Sequence, residues 1–328
     1  MDARADLDAI AVGIRQPGRQ REGALHAGGT PAACYNFVMA RIVGIHGIAQ
    51  QFGGGYQLGT LWYDAVRDGL VAADHRPRAE ALVATDMRVV FFGDLYRPPG
   101  SMAMQEPPFP ATDVRPGLER DLITAFFQAA VVQDPALGAP EGAMGPGRAA
   151  VQVMLAGLAQ SATFARIAQR AFIGNLKQVV AFLTDPVVKQ NVLARVREQV
   201  NADTRVLIGH SLGSVVAYEY LCRDRPASVE LLVTLGSPLG IPNVVFDQLT
   251  PSPTGGAGAW PGTVAAWVNV ADPDDIVALR KDLAPLFPGV APGHAVADRL
   301  VDNGDEPHAV SRYLNTRQTG SALGDALS

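Results

Sequence analysis

The sequence predicts an α/β fold: a mainly parallel sheet with helices on both faces and an inserted helical cap. Three observations lead there. Short apolar runs of strand length recur from residue 42 onward, and helical stretches separate them. One such run ends in a glycine-flanked serine and passes at once into a helix. Strands that alternate with helices in this way need crossover connections, which make a sheet parallel.

Each element has its own justification. Ile42–Ile45, Val89–Phe92, Arg205–Ile208, Glu230–Leu235 and Val264–Val270 are continuous apolar runs of the kind that strands buried on both faces show. A helix is expected around Leu58–Val71, after the flexible Gly53-Gly54-Gly55, and another through Val215–Leu221. Residues 95–203 break the rhythm. Their first part is rich in Pro and Gly (Arg97-Pro98-Pro99-Gly100, Glu106-Pro107-Pro108-Phe109-Pro110), and their second part carries helical runs at Leu118–Val132, Ala149–Ile173 and Leu176–Leu183. An interval this long is expected to be a functional insertion, here a helical lid over the carboxyl edge of the sheet; ordinary crossover helices plus a loop are the plainer alternative. Residues 1–38 show no apolar periodicity and a helix-breaking Gly28-Gly29-Thr30-Pro31, so a poorly ordered tail is expected, with the α/β domain at 39–328. Met39 stands just before the first strand and is a candidate for the true start.

Composition narrows the functional classes. With 328 residues, 48% hydrophobic and 18% charged, the chain can bury a large core, which argues against widespread disorder. The net charge is -5 and the basic residues are scattered singly, so no nucleic-acid partner is expected. Two cysteines outside any CxxC or Cys/His cluster give neither a disulfide framework nor a zinc site, and Cys222 reads as core packing. The N-terminus has no continuous apolar core, and no run reaches the roughly 20 residues of a membrane span, so a cytoplasmic setting is expected. The Ala149–Ile173 run leaves peripheral membrane contact open.

Chemistry concentrates in Gly209-His210-Ser211-Leu212-Gly213. A strand before it and a helix after it put Ser211 on a tight turn that lifts its hydroxyl above the sheet. The helix N-terminus behind it offers amide donors where an oxyanion would develop. A serine N-cap in a Gly-rich turn is the bland alternative.

With these residues the chain resembles the α/β-hydrolase superfamily, and within it the lipase and esterase branch, from Arg41 to about Leu314. The resemblance implies that Ser211 attacks an acyl carbonyl and that the Leu212 N–H is one oxyanion donor. It also implies that His46-Gly47, at the end of the first strand, shapes the other half of the oxyanion hole, with Ile48 giving its N–H and Gly47 the alternative. His46 itself is expected to hold the loop. Chain order in the superfamily puts the acid and then the histidine after the serine. Asp275 fits by its spacing from Pro273 and the Ile-Val-Ala that follows, with Asp274 second, Asp272 third and Asp247 a distant fourth. A calcium loop at these carboxylates lacks the sixth-position Gly and terminal Glu of an EF-hand. His308, in Glu306-Pro307-His308 before the last helix, is favoured over His294 in a Pro-Gly turn. Ser237-Pro238 reads as a turn that walls an acyl pocket. The implied activity is hydrolysis of a carboxylic ester with a hydrophobic acyl group, without metal or organic cofactor. Thioesterase, amidase or acyltransferase chemistry on the same triad, or a hydrolase-like binding module, are the alternatives.

Overall fold

The computed structural model describes residues 40–51, 53–97, 110–138, 148–160 and 169–327. Expectations about the N-terminal tail and the start at Met39 lie outside them. Six strands form one sheet in the order β2-β1-β3-β4-β5-β6, and every pairing is parallel. They are β1 (Ile42–Ile45), β2 (Met87–Val90), β3 (Val206–His210), β4 (Leu231–Leu235), β5 (Ala266–Ala271) and β6 (Val296–Leu300). Five fall on the apolar runs, displaced by up to two residues at either end. β6 was not anticipated, because only Val296 of its five residues is buried, so an edge strand lacks the apolar run.

Helices cover both faces. α1 (Gly55–Ala72), α2 (Arg76–Ala81), α8 (Val310–Leu314) and α9 (Arg317–Ala326) pack on one. α3 (Leu118–Gln133), α4 (Arg148–Gln160), α5 (Gln169–Thr184), α6 (Pro186–Gln199) and α7 (Leu212–Asp224) belong to the other. The strand alternation sorts the two cores: Val206, Ile208, Leu231 and Val233 join the first, and Leu207 and Leu232 the second. α1 buries Trp62, Val66 and Leu70, a four-residue spacing that lines up on one helical face. α7 is buried on all sides from Leu212 to Leu221, as the helix between the sheet and the α3–α6 layer must be.

The expected run Ala149–Ile173 corresponds to α4 and the start of α5, with 161–168 outside the described residues. α6 has no counterpart among the expected helical runs, although Asp185-Pro186 is a helix-start signal. The Asp185 carboxylate accepts from the Val187 and Val188 N–H groups at 2.8 and 3.2 Å, and proline takes the first helical position.

β1 lies between β2 and β3, so the chain runs outward from β1 to β2 and then back across β1 to β3. Crossovers leave in opposite directions there, and a crevice opens beyond the carboxyl ends of β1 and β3. His46 follows the first of these strands and Ser211 the second.

Candidate active site

Ser211 has φ 54° and ψ −129°, a conformation that costs an L-residue energy and is held by its surroundings. Its N–H donates to the Leu235 carbonyl at 3.0 Å. The glycine two residues later is a steric requirement: a Cβ on Gly213 would stand 2.0 Å from the Ile45 carbonyl oxygen of the neighbouring strand. The Ser214 hydroxyl donates to the Ser211 carbonyl at 2.6 Å and lies 2.7 Å from the Ser237 hydroxyl, which therefore donates to it. Ser237 in turn accepts from the Leu239 N–H at 3.2 Å. Ser237 thus supports the elbow from beneath, and its neighbour Pro238 walls the cavity.

That cavity has a volume of about 370 Å³. Ser211, Leu212, Gly47, Ile48 and His308 all line it. Leu212 opens α7, so its N–H is one of the helix amides without an intrahelical partner. Leu122 and Phe126 of α3 and Phe172, Leu176 and Val179 of α5 form part of the cavity's apolar wall.

Asp275 is completely buried behind His308. Its Oδ2 accepts from His308 Nδ1 at 2.8 Å and from the Tyr313 hydroxyl at 2.7 Å, and its Oδ1 accepts from the Val277 N–H at 2.9 Å and the Ala278 N–H at 3.4 Å. Burial alone would raise its pKa, but the His308 charge, the His308 and Tyr313 hydrogen bonds and Lys281 together hold it below the usual carboxylate value. Because Nδ1 of His308 donates to the carboxylate, its Nε2 is left for other partners.

The competing residues have other occupations. Asp272 accepts from the Asp274 and Asn303 N–H groups at 2.7 and 2.5 Å and so folds the loop, while Asp274 is exposed. Asp247 accepts from the Asn243 N–H. His294 stacks on Trp260 with ring centroids 5.1 Å apart and does not line the cavity. His46 accepts at Nε2 from the Phe92 N–H at 3.1 Å, which puts the proton on Nδ1, where it is donated to the Gly47 carbonyl. Burial lowers its pKa to about 4, so it is a neutral brace for the loop.

Three contributors escaped sequence reasoning. Tyr313 follows His308 by five residues, but its partners Asp272 and Asp275 are far away in sequence. His210 donates from Nε2 to the His308 carbonyl at 3.0 Å, pinning the histidine loop to the elbow; its position before the serine was the available signal. Gln178 of α5 reaches the loop after β1: its Nε2 donates to Gln51 Oε1 at 3.1 Å, and its Oε1 accepts a weaker bond from the Ala49 N–H at 3.4 Å. Nothing local in the sequence announces it.

A family model described as a PGAP1-like alpha/beta domain matches residues 171–252, which run from α5 through the Ser211 elbow and β4. This is an α/β-hydrolase fold. The match to the hydrolase fold ends before Asp275 and His308, so their pairing rests on the geometry alone. No curated protein and no solved structure matches the chain. Within the described part of this hydrolase fold, no helix is long and apolar enough to cross a membrane, and no group of three His, Cys, Asp or Glu side chains could hold a metal ion.

Proposed function

We propose that the protein is a serine hydrolase that cleaves a carboxylic ester with an apolar acyl group, through Ser211, His308 and Asp275. The carrying observation is that Ser211, on its strained turn, shares one apolar-walled cavity with a histidine whose Nδ1 is held by a buried carboxylate.

In the proposed reaction His308 Nε2 takes the Ser211 proton while Oγ attacks the ester carbonyl carbon. The Leu212 and Ile48 N–H groups stabilise the oxyanion. Collapse of the tetrahedral species breaks the ester C–O bond, and His308 returns the proton to the departing alcohol. Water, deprotonated by the same imidazole, then hydrolyses the acyl-enzyme. Asp275 fixes the imidazole tautomer and stabilises the imidazolium. α3, α4 and α5 belong to the proposed cap, of which α3 and α5 contribute part of the cavity's apolar wall.

The test is turnover of p-nitrophenyl esters of increasing chain length, with fluorophosphonate labelling, by wild type and Ser211→Ala. The expected result is labelling of wild type alone and a fall in kcat of roughly a thousandfold or more in the variant. Labelling without ester turnover would redirect the chemistry to thioesters or amides. Wild type that neither labels nor turns over any ester would favour a binding module.

A further inference from the structure

His308 sits near the end of residues 301–309, which join β6 to α8 without helix or strand. A loop aims a side chain only as well as its own backbone is tied down. Each peptide unit is planar, so the two planes that flank His308 set its φ and ψ, and with them the direction of its Cβ. The plane after His308 is held twice. His210 Nε2 donates to its carbonyl at 3.0 Å, and the Ala309 N–H donates to the Glu306 carbonyl at 3.0 Å. The plane before His308 has no such reserve. Among the described residues its one hydrogen bond comes from Asn303, whose Nδ2 donates to the Pro307 carbonyl at 3.0 Å.

Asn303 is itself fixed. It is buried, and its N–H donates at 2.5 Å to Oδ2 of Asp272, a buried carboxylate whose Oδ1 takes the Asp274 N–H. Asp272 and Asp275 share the loop after β5, where the Asp275 N–H donates to the Asp272 carbonyl at 3.1 Å. One end of Asn303 is thus anchored to the loop that carries the acid, and its other end holds the peptide that leads into the histidine. Asn303 does not line the cavity, so an effect on the reaction would have to pass through His308. A turn residue that serves stability alone would matter equally with or without His308; a residue that aims the imidazole would not.

We propose that Asn303 is a positioning residue of the triad. Standing on the Asp275 loop through Asp272, it fixes the peptide that enters His308 and so keeps the imidazole in register with the Asp275 carboxylate and in the cavity with Ser211. This rests on the serine-hydrolase reading above.

The experiment is a double-mutant cycle on p-nitrophenyl ester turnover, with wild type, Asn303→Leu, His308→Ala and the double variant. Leucine keeps the volume and removes the donor; Asn303→Ala takes its place if the leucine variant does not melt cooperatively. Misplacing a catalytic group by about 1 Å can cost a hundredfold, so Asn303→Leu should lower kcat by roughly ten- to a hundredfold with KM unchanged. His308→Ala keeps the residual catalysis of the oxyanion hole, and there the same substitution should change nothing further. Equal loss in both backgrounds overturns the proposal, as does an intact kcat in Asn303→Leu or a loss carried by KM. A second readout needs no turnover. The downfield proton resonance of His308 Nδ1–H, identified by its absence from His308→Ala, should shift or broaden in Asn303→Leu. If no ester is turned over but this resonance depends on Asn303, the ester reading falls and the positioning role stands. Ester turnover with kcat and resonance both unmoved in the variant sinks the positioning role alone.

Discussion

At Asp275 four donors converge on two oxygens: an imidazole, a phenol and two backbone amides. Tyr313 is the one with a second duty, since its oxygen also accepts from the Asp272 N–H at 3.0 Å. Tyr313→Phe should therefore leave a buried N–H unpaired and cost about 1–3 kcal/mol of stability. It should also ease protonation of Asp275, because one of the groups that lowers its pKa is gone. The acid limb of the kcat/KM profile is expected to move to higher pH, with kcat down by roughly tenfold. A lower melting temperature with an unmoved limb would reduce Tyr313 to a structural role. Gly236 is a sharper probe of the same spot. It has φ 53°, and a Cβ there would stand 2.7 Å from Asp275 Oδ2 and 3.1 Å from His308 Nδ1. Gly236→Ala should push the pair apart and lower kcat by at least roughly a hundredfold while the protein still folds, read by ester turnover beside circular dichroism. Spacing in the sequence ranks Asp275 ahead of Asp274 and Asp272 but says nothing of what each carboxylate meets. What distinguishes them is which donors each carboxylate meets, and the partners of Asp275 include residues 33 and 38 positions away.

Elements were legible where their packing is simple. Strands buried on both faces announce themselves as apolar runs, and the elbow does so because its glycines answer to backbone contacts that no side chain could survive. β6 at the sheet edge and α6, whose exposed face dilutes its apolar periodicity, do not. α5 is legible in the sequence as a helix but not in what it does. Its apolar residues wall the cavity, but Gln178 on the same helix grips the loop after β1, in which Ala49 has φ 65°. Gln178→Leu removes the bond to Gln51 and the weaker one to Ala49. The loop should then sample other conformations, and kcat/KM should fall by about tenfold on every ester chain length alike, because the Ile48 N–H loses its fixed position. A change confined to long chains would instead mean that Gln178 acts on the acyl wall.

For the molecule as a whole, the sheet order brings the loops after β1 and β3 together, and with them two buried histidines. Burial is the main reason that both stay neutral: the pKa of His46 falls from 6.5 to about 4, and that of His210 to about 3, with the nearby His308 adding to the second shift. In the unfolded chain both imidazoles bind a proton near pH 6.5. Below that pH the unfolded state therefore holds more protons than the folded one, and stability drains away as the pH falls. The contribution is complete above about pH 6.5 and is lost through pH 4 for His46 and on towards pH 3 for His210. By pH 4 His46 alone should have cost roughly 3 kcal/mol, a large share of the roughly 5–15 kcal/mol that holds a domain together. Melting temperatures measured from pH 7 to pH 4 should thus begin to drop near pH 6.5, well before carboxylates titrate. His46→Asn should start lower at pH 7, having lost the brace between Gly47 and Phe92, but lose less between pH 7 and pH 4. If wild type and variant instead fell in parallel, and only below pH 4.5, acid unfolding would belong to carboxylates such as Asp275, whose depressed pKa stabilises the fold in the same direction but at lower pH.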